Sequence, residues 1–212
     1  MLDFSIRYLN ILKTKLAGLN LTNILEADEF YNKQILDSIN PYLQSERFQK
    51  SVQATKVVVD VGFGGGFPLL PLAKLLPDIQ FIGIESRNKK VEAVQLLIEE
   101  LGLTNVKVVH SRLEDFFFDV PATITFKAVG TVKDFLPMIS SKTNKLSIFF
   151  YKGPSFLELE KDSLEKLEST WKLVETQEIK VPGTNQRLLV AFEAKNVPRG
   201  TAKKVVNLSD FL

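Results

Sequence analysis

Three features of the 212-residue sequence predict an α/β fold, with a mostly parallel sheet and helices on both faces. Short apolar, β-branched runs alternate with longer amphipathic stretches, the pattern of strands buried on both sides and joined by crossover helices. The first such run ends in a glycine cluster, Gly62 to Gly66, where a strand turns sharply into a helix. The last two runs are joined by Pro182-Gly183-Thr184-Asn185, a hairpin signal rather than a crossover. Counted together, the runs make seven strands, finished by an antiparallel hairpin.

Residues 1–50 read as a helical extension. Leu2, Ile6, Leu9, Leu12 and Leu16 recur at three- and four-residue spacing, and Gly18 is a natural stop. A second stripe through Phe30, Ile35, Leu36 and Ile39 is expected to end before Pro41. The first strand is Lys56 to Val61, followed by a helix opened by Pro68 and Pro71 that runs to Leu76. Phe81–Glu85 is the second strand, Asn88–Leu101 a long helix closed by Gly102, and Val106–Val109 the third strand. Ala122–Lys127 and Leu146–Tyr151 are the fourth and fifth, with a helix at Phe156–Leu167. Trp171–Val181 and Arg187–Ala194 form the hairpin. Residues 51–195 thus make the main domain, and 196–212 a basic tail. In that tail region Lys195, Arg199, Lys203 and Lys204 outnumber Asp210 and suit phosphate contacts.

Composition narrows the function. Apolar residues make up 45% and charged residues 25%, so a full core is available at this length. No run of about 18 apolar residues offers a membrane span, and the charged N-terminus does not read as a signal peptide. A cytoplasmic protein without membrane partners is expected. There is no cysteine and a single histidine, His110, which excludes disulfides, thiolate chemistry and a Cys/His metal centre. No metal site is expected, and His110 reads as structural. The net charge of +2 permits a nucleic-acid partner without demanding one.

The glycine loop carries the chemistry. Asp60-Val61-Gly62-Phe63-Gly64-Gly65-Gly66-Phe67-Pro68 lets a ligand lie directly on the backbone. The dinucleotide fingerprint needs glycine where Phe67 stands, and Pro68 removes a donor that a pyrophosphate would use. An adenosylmethionine has no phosphate and needs neither. A nicotinamide nucleotide and a tight turn without ligand remain the alternatives. Glu85, at the end of the second strand, can accept both hydroxyls of a ribose, and Arg112-Leu113-Glu114-Asp115 would flank the adenine. The arrangement is typical of class I, Rossmann-like methyltransferases. Among targets, carbon 5 of a pyrimidine usually requires a cysteine adduct. The adenine amino group typically requires an Asn/Asp-Pro-Pro-aromatic motif, whose place is taken by Phe126-Lys127-Ala128-Val129. A ring nitrogen with a free lone pair stays open.

Further segments follow in order: Asn20-Leu21-Thr22, Ile35-Leu36-Asp37-Ser38-Ile39, and the loop Asp60 to Pro71 with its two prolines. Glu85-Ser86 with Lys89-Lys90, Arg112-Leu113-Glu114, Lys152-Gly153 and Pro198-Arg199-Gly200 complete the series. In these segments the chain resembles the bacterial small-subunit (16S) ribosomal RNA guanine-N7 methyltransferase family, also called glucose-inhibited division protein B. The resemblance covers nearly the whole chain, with departures at Gln34 (usually histidine), Phe63 (usually small) and Lys127 (usually arginine). It implies methylation of guanine N7 in the 530 loop of 16S ribosomal RNA by S-adenosylmethionine, which leaves as S-adenosylhomocysteine.

The resemblance further implies which residues form the site. Asp60, Gly62, Phe63, Gly64, Gly66, Phe67, Glu85, Ser86, Leu113, Glu114 and Lys127 would hold the cofactor, with Asp37 near it. Lys152, Lys127, Arg187 and Arg112 would hold phosphates and the guanine edge as the catalytic set. Phe63 and Phe67 either cover the adenosyl group or pack the loop, and Phe116-Phe117-Phe118 is either a base-stacking platform or core. The implied partner is 16S ribosomal RNA or the small subunit, met by a monomer. A methyltransferase of a small molecule or protein, and a non-catalytic RNA-binding module, are the competing readings.

Overall fold

The computed structural model describes residues 1–195 and 206–212. The chain opens with helix α1 (Leu2–Thr14), a loop, and α2 (Ala27–Phe30). A π-helical stretch, Tyr31–Leu36, leads directly into α3 (Asp37–Gln44), and α4 (Glu46–Thr55) delivers the chain to β1 (Val57–Val61). Then come α5 (Leu69–Leu75), β2 (Gln80–Glu85), α6 (Asn88–Leu101) and β3 (Val106–His110). The short β4 (Phe116–Phe118) precedes β5 (Ala122–Lys127), α7 (Val132–Phe135) and β6 (Ser140–Ser141). The series ends with β7 (Leu146–Lys152), α8 (Phe156–Leu167), β8 (Trp171–Ile179), β9 (Arg187–Ala194) and β10 (Val206–Asn207).

Seven strands form one sheet in the order β3-β2-β1-β5-β7-β9-β8. All neighbouring pairs are parallel up to β7, and β9 runs antiparallel between β7 and β8. The strand order reverses between β1 and β5, the switch point at which α/β sheets open a crevice. Every residue of β1 is buried, as a central parallel strand requires.

Strand parity divides the core in two. Val58, Phe81 and Phe149 face the helical extension with α5 and α6, and meet Tyr8, Phe30, Phe48 and Leu97. Val59, Ile82, Ile124 and Phe150 face the other way, toward α7, α8 and a second sheet. That second sheet, three parallel strands in the order β10-β4-β6, was not expected. Phe116 and Phe118 are buried in it, so these two of the three phenylalanines are core, while Phe117 is half-buried.

One further expectation is corrected. The helix does not stop before Pro41 but runs through it to Gln44. The missing backbone bond is outweighed by burial of Ile39, Pro41 and Tyr42. The tail residues Arg199, Lys203, Lys204 and the Pro198-Arg199-Gly200 segment lie outside the described residues. Lys195 donates to the Glu168 carbonyl at 2.9 Å. Among the described residues no helix is long and apolar enough to cross a membrane.

Candidate active site

β1 runs into Gly62, whose backbone at φ +71° reverses the chain toward α5. A Cβ on Gly62 would stand 2.7 Å from Val129 Cγ1, so the turn is closed against the segment after β5. Gly65 is bare for another reason: a Cβ there would meet the Leu21 carbonyl oxygen at 2.5 Å. The Asn20-Leu21-Thr22 segment of the extension therefore lies directly on the loop. Tyr8 reaches the same place, donating to the Gly65 carbonyl and stacking on Phe67 at 5.1 Å between ring centroids.

Beside this loop lies a cleft of about 580 Å³. Gly62, Glu85, Ser86, Arg112, Leu113 and Glu114, all expected at the cofactor or substrate, line it. The structure brings these together from the ends of β1 and β2 and the turn after β3. Its opposite wall was missed: Ala128, Val129, Phe135 and Met138. Ala128 and Val129 follow a strand end, which is where such crevices form, so that signal was present. Ala128 adopts φ +55°, a conformation rare outside glycine.

Glu85 is buried and anchored on the loop it faces. Its Oε2 accepts from the Gly64 amide at 3.2 Å; Oε1 accepts from the Arg87 amide at 3.0 Å and the Ser86 hydroxyl at 3.3 Å. A carboxylate has about four acceptor directions and three are taken, so one remains, on Oε2, for a ribose hydroxyl; a second opens if the Ser86 hydroxyl turns away. Asp60, two residues before Gly62, accepts from the Thr125 hydroxyl at 2.7 Å. Its other oxygen, Oδ2, is buried with no hydrogen-bond partner among the described residues. Burial pushes the Asp60 carboxyl up to about 7, against the lowering effects of the Thr125 hydroxyl and the Lys127 charge.

Asp60, Phe63, Gly64, Gly66, Phe67 and Lys127 do not line the cleft. Phe63 is buried against Gly83, where a Cβ would stand 2.6 Å from its ring. Phe67 packs between Tyr8 and Phe30. Both rings pack the loop from beneath. His110 contacts the Ser86 carbonyl at 3.0 Å through Nε2.

The four basic residues fall into three places. Arg112 lines the cleft. Lys127 and Arg187 converge on Asp37 from the extension, with Lys127 Nζ 3.1 Å from Oδ2 and Arg187 Nε 2.9 Å from Oδ1. The π-helical stretch before Asp37 presents it to the sheet, and Gln34 within that stretch donates to the Thr22 hydroxyl at 3.1 Å. Lys152 lies on the opposite face of the sheet. Its Nζ is 2.8 Å from Glu160 Oε1 and donates to the Gly130 carbonyl at 2.9 Å. Register explains the split. Lys127 pairs with Tyr151, so it shares a face with that residue and not with Lys152.

The sequence model described as rRNA small subunit methyltransferase G matches residues 3–190. The ribosomal RNA small subunit methyltransferase G of Clostridium perfringens strain 13 is 29% identical, over 95% of this chain and 86% of its own. That of Aeromonas salmonicida is 34% identical, over 82% and 79% respectively. Among solved structures, the mitomycin 7-O-methyltransferase MmcR superposes with a TM-score of 0.61 at 13% identity, covering 92% of this chain and 66% of that one. The B. subtilis tRNA methyltransferase TrmK superposes at 0.51 and 17% identity, over 72% and 67%. These two share the fold. With nearly its full length matched by the family's sequence model, the chain belongs to the rRNA small subunit methyltransferase G family.

Proposed function

We propose that this chain methylates N7 of a guanine in the 530 loop of 16S ribosomal RNA, using S-adenosylmethionine. The observation that carries the reading is Glu85, a buried carboxylate with spare acceptor capacity, held on the glycine loop by the Gly64 amide. Its free direction suits a ribose hydroxyl, with the Ser86 hydroxyl able to yield a second to the diol, and apolar Leu113, Phe135 and Met138 in the same cleft suit an adenine. The unpartnered buried oxygen of Asp60 beside the loop suits the cationic half of such a cofactor.

When bound, S-adenosylmethionine would supply an electrophilic methyl group for guanine N7, its sulfur keeping the electron pair of the broken bond. N7 carries no proton, so no side chain has to act as a base. The chain's task is then positioning, which can supply roughly 7–11 kcal/mol. Gly62, Glu85 and Leu113 would orient the nucleoside, with Ser86 and Glu114 beside them. Gly64 and Gly66 shape the loop backbone, and Phe63 and Phe67 support it from the core. Lys127 is enclosed against Asp37, so Arg187, 33% exposed and sharing the same carboxylate, would be the cation that an RNA phosphate or the guanine edge meets at this end of β5 and β9. Arg112 adds a second cation at the cleft. On this reading the extension (1–50), the main domain (51–195) and the tail (196–212) act as one unit, in a cytoplasmic monomer.

The test pairs calorimetric titration with S-adenosylmethionine and mass analysis of small-subunit RNA incubated with the chain and cofactor. Cofactor uptake with N7-methylguanosine in the 530 loop is expected. Uptake without that product sinks the RNA assignment in favour of another acceptor; RNA binding without uptake sinks the enzyme.

A further inference from the structure

Lys152 ends β7 and was expected in the catalytic set, yet its charge is engaged inside the protein. Its side chain is 11% exposed and that of Glu160 is 9% exposed. Two rings, Phe150 and Phe156, lie 5.2 and 5.6 Å from its Nζ and close the site around it. A charge so enclosed is not available to a phosphate.

What the pair grips is specific. Lys152 Nζ takes the carbonyl of Gly130. Glu160 Oε2 accepts the amide of Val132 at 2.6 Å, the first residue of α7. One ion pair therefore pins a three-residue segment at both ends, at an acceptor and at a donor. Just before that segment stand Ala128 and Val129; just after it stand Phe135 and Met138. These four form the cleft wall opposite Glu85. Ala128 holds an unfavourable left-handed conformation, which needs such support from its surroundings.

We propose that Glu160 and Lys152 are positioning residues for the cofactor: through Gly130 and Val132 they hold the adenosine-facing wall of the cleft, and Lys152 does not contact RNA. The inference rests on the cofactor reading above. Neither side chain lines the cleft, so the effect passes through the backbone alone.

The experiment compares Glu160→Gln and Lys152→Gln with the unaltered full chain. Each is titrated with S-adenosylmethionine and, separately, with a 16S ribosomal RNA fragment containing the 530 loop, and its Tm is recorded. Glutamine keeps one hydrogen bond at either position, so Lys152→Gln serves if Glu160→Gln does not fold. Weakened cofactor binding is expected, by roughly tenfold, with RNA affinity unchanged within about twofold, since one charge-assisted hydrogen bond is lost. Faster hydrogen exchange at the Val132 amide in Glu160→Gln is expected as well. Lost RNA affinity with intact cofactor binding would overturn the proposal and return Lys152 to the RNA. Unchanged titrations, or parallel loss of both affinities with a fallen Tm, would overturn it too. If the unaltered chain itself takes up no cofactor, the functional reading fails first and this inference with it.

Discussion

Replacing Asp37 by asparagine tests the junction between the extension and the sheet. Asp37 is buried, and its two oxygens serve two cations, Lys127 and Arg187. Removing one partner of a buried ion pair costs roughly 3–5 kcal/mol, because the other charge stays behind unpaired. Lys127, with its side chain 13% exposed, is in that position. Arg187 is 33% exposed and can turn to water, so its share is that of a surface pair, about 0.2–1 kcal/mol. Asparagine retains one acceptor oxygen, which favours the low end, about 3 kcal/mol in all. For a chain of this length that amounts to a Tm lower by roughly 6–12 °C. Thermal unfolding followed by circular dichroism at about physiological salt measures it. Lys127→Met in the same background should then restore part of the loss, because it removes the stranded charge. A Tm within about 2 °C of the unaltered chain, with no rescue by Lys127→Met, would refute the claim that this carboxylate ties the extension to the sheet.

Two other outcomes follow from single residues. Asp60 titrates near 3.8 when unfolded and near 7 when folded, so the folded chain retains a proton that the unfolded chain has released. Stability should therefore fall as pH rises from about 4 to about 7, by a few kcal/mol, and stay low above that. Urea unfolding at pH 5 and pH 8 should register this drop in the unaltered chain and a much smaller one in Asp60→Asn; equal drops would contradict the assignment. Ala128 holds φ +55° at the cleft wall, so Ala128→Gly should keep or raise stability by up to about 1 kcal/mol. Ala128→Val should lower it by roughly 1–2 kcal/mol, and an Ala128→Gly variant weaker than Ala128→Val in urea would overturn the strain argument.

The sequence by itself determined the seven-stranded sheet, the crossover helices and one wall of the candidate cleft. β1, β2, β5 and β7 are short apolar runs whose buried faces leave little choice of structure, and Gly102, at φ +66°, stops α6 as its type and place require. Gly62 and Glu85 are local in the same sense: one ends a strand before a helix, the other ends the next strand, and the parallel pairing of β1 with β2 brings them to one cleft. Only the tertiary structure decided what depends on register and long-range packing. Phe63 and Phe67 went to the core because Gly83, Tyr8 and Phe30 made room for them. The strands of the small sheet are too short to carry a period, so β4 found its partners only in the folded chain. Lys127 and Lys152 look alike in the sequence, but a two-residue period assigns them to opposite faces once β5 and β7 are in register. Their carboxylate partners, Asp37 and Glu160, lie far from each other in the chain, and only folding could pair each lysine with its own acid.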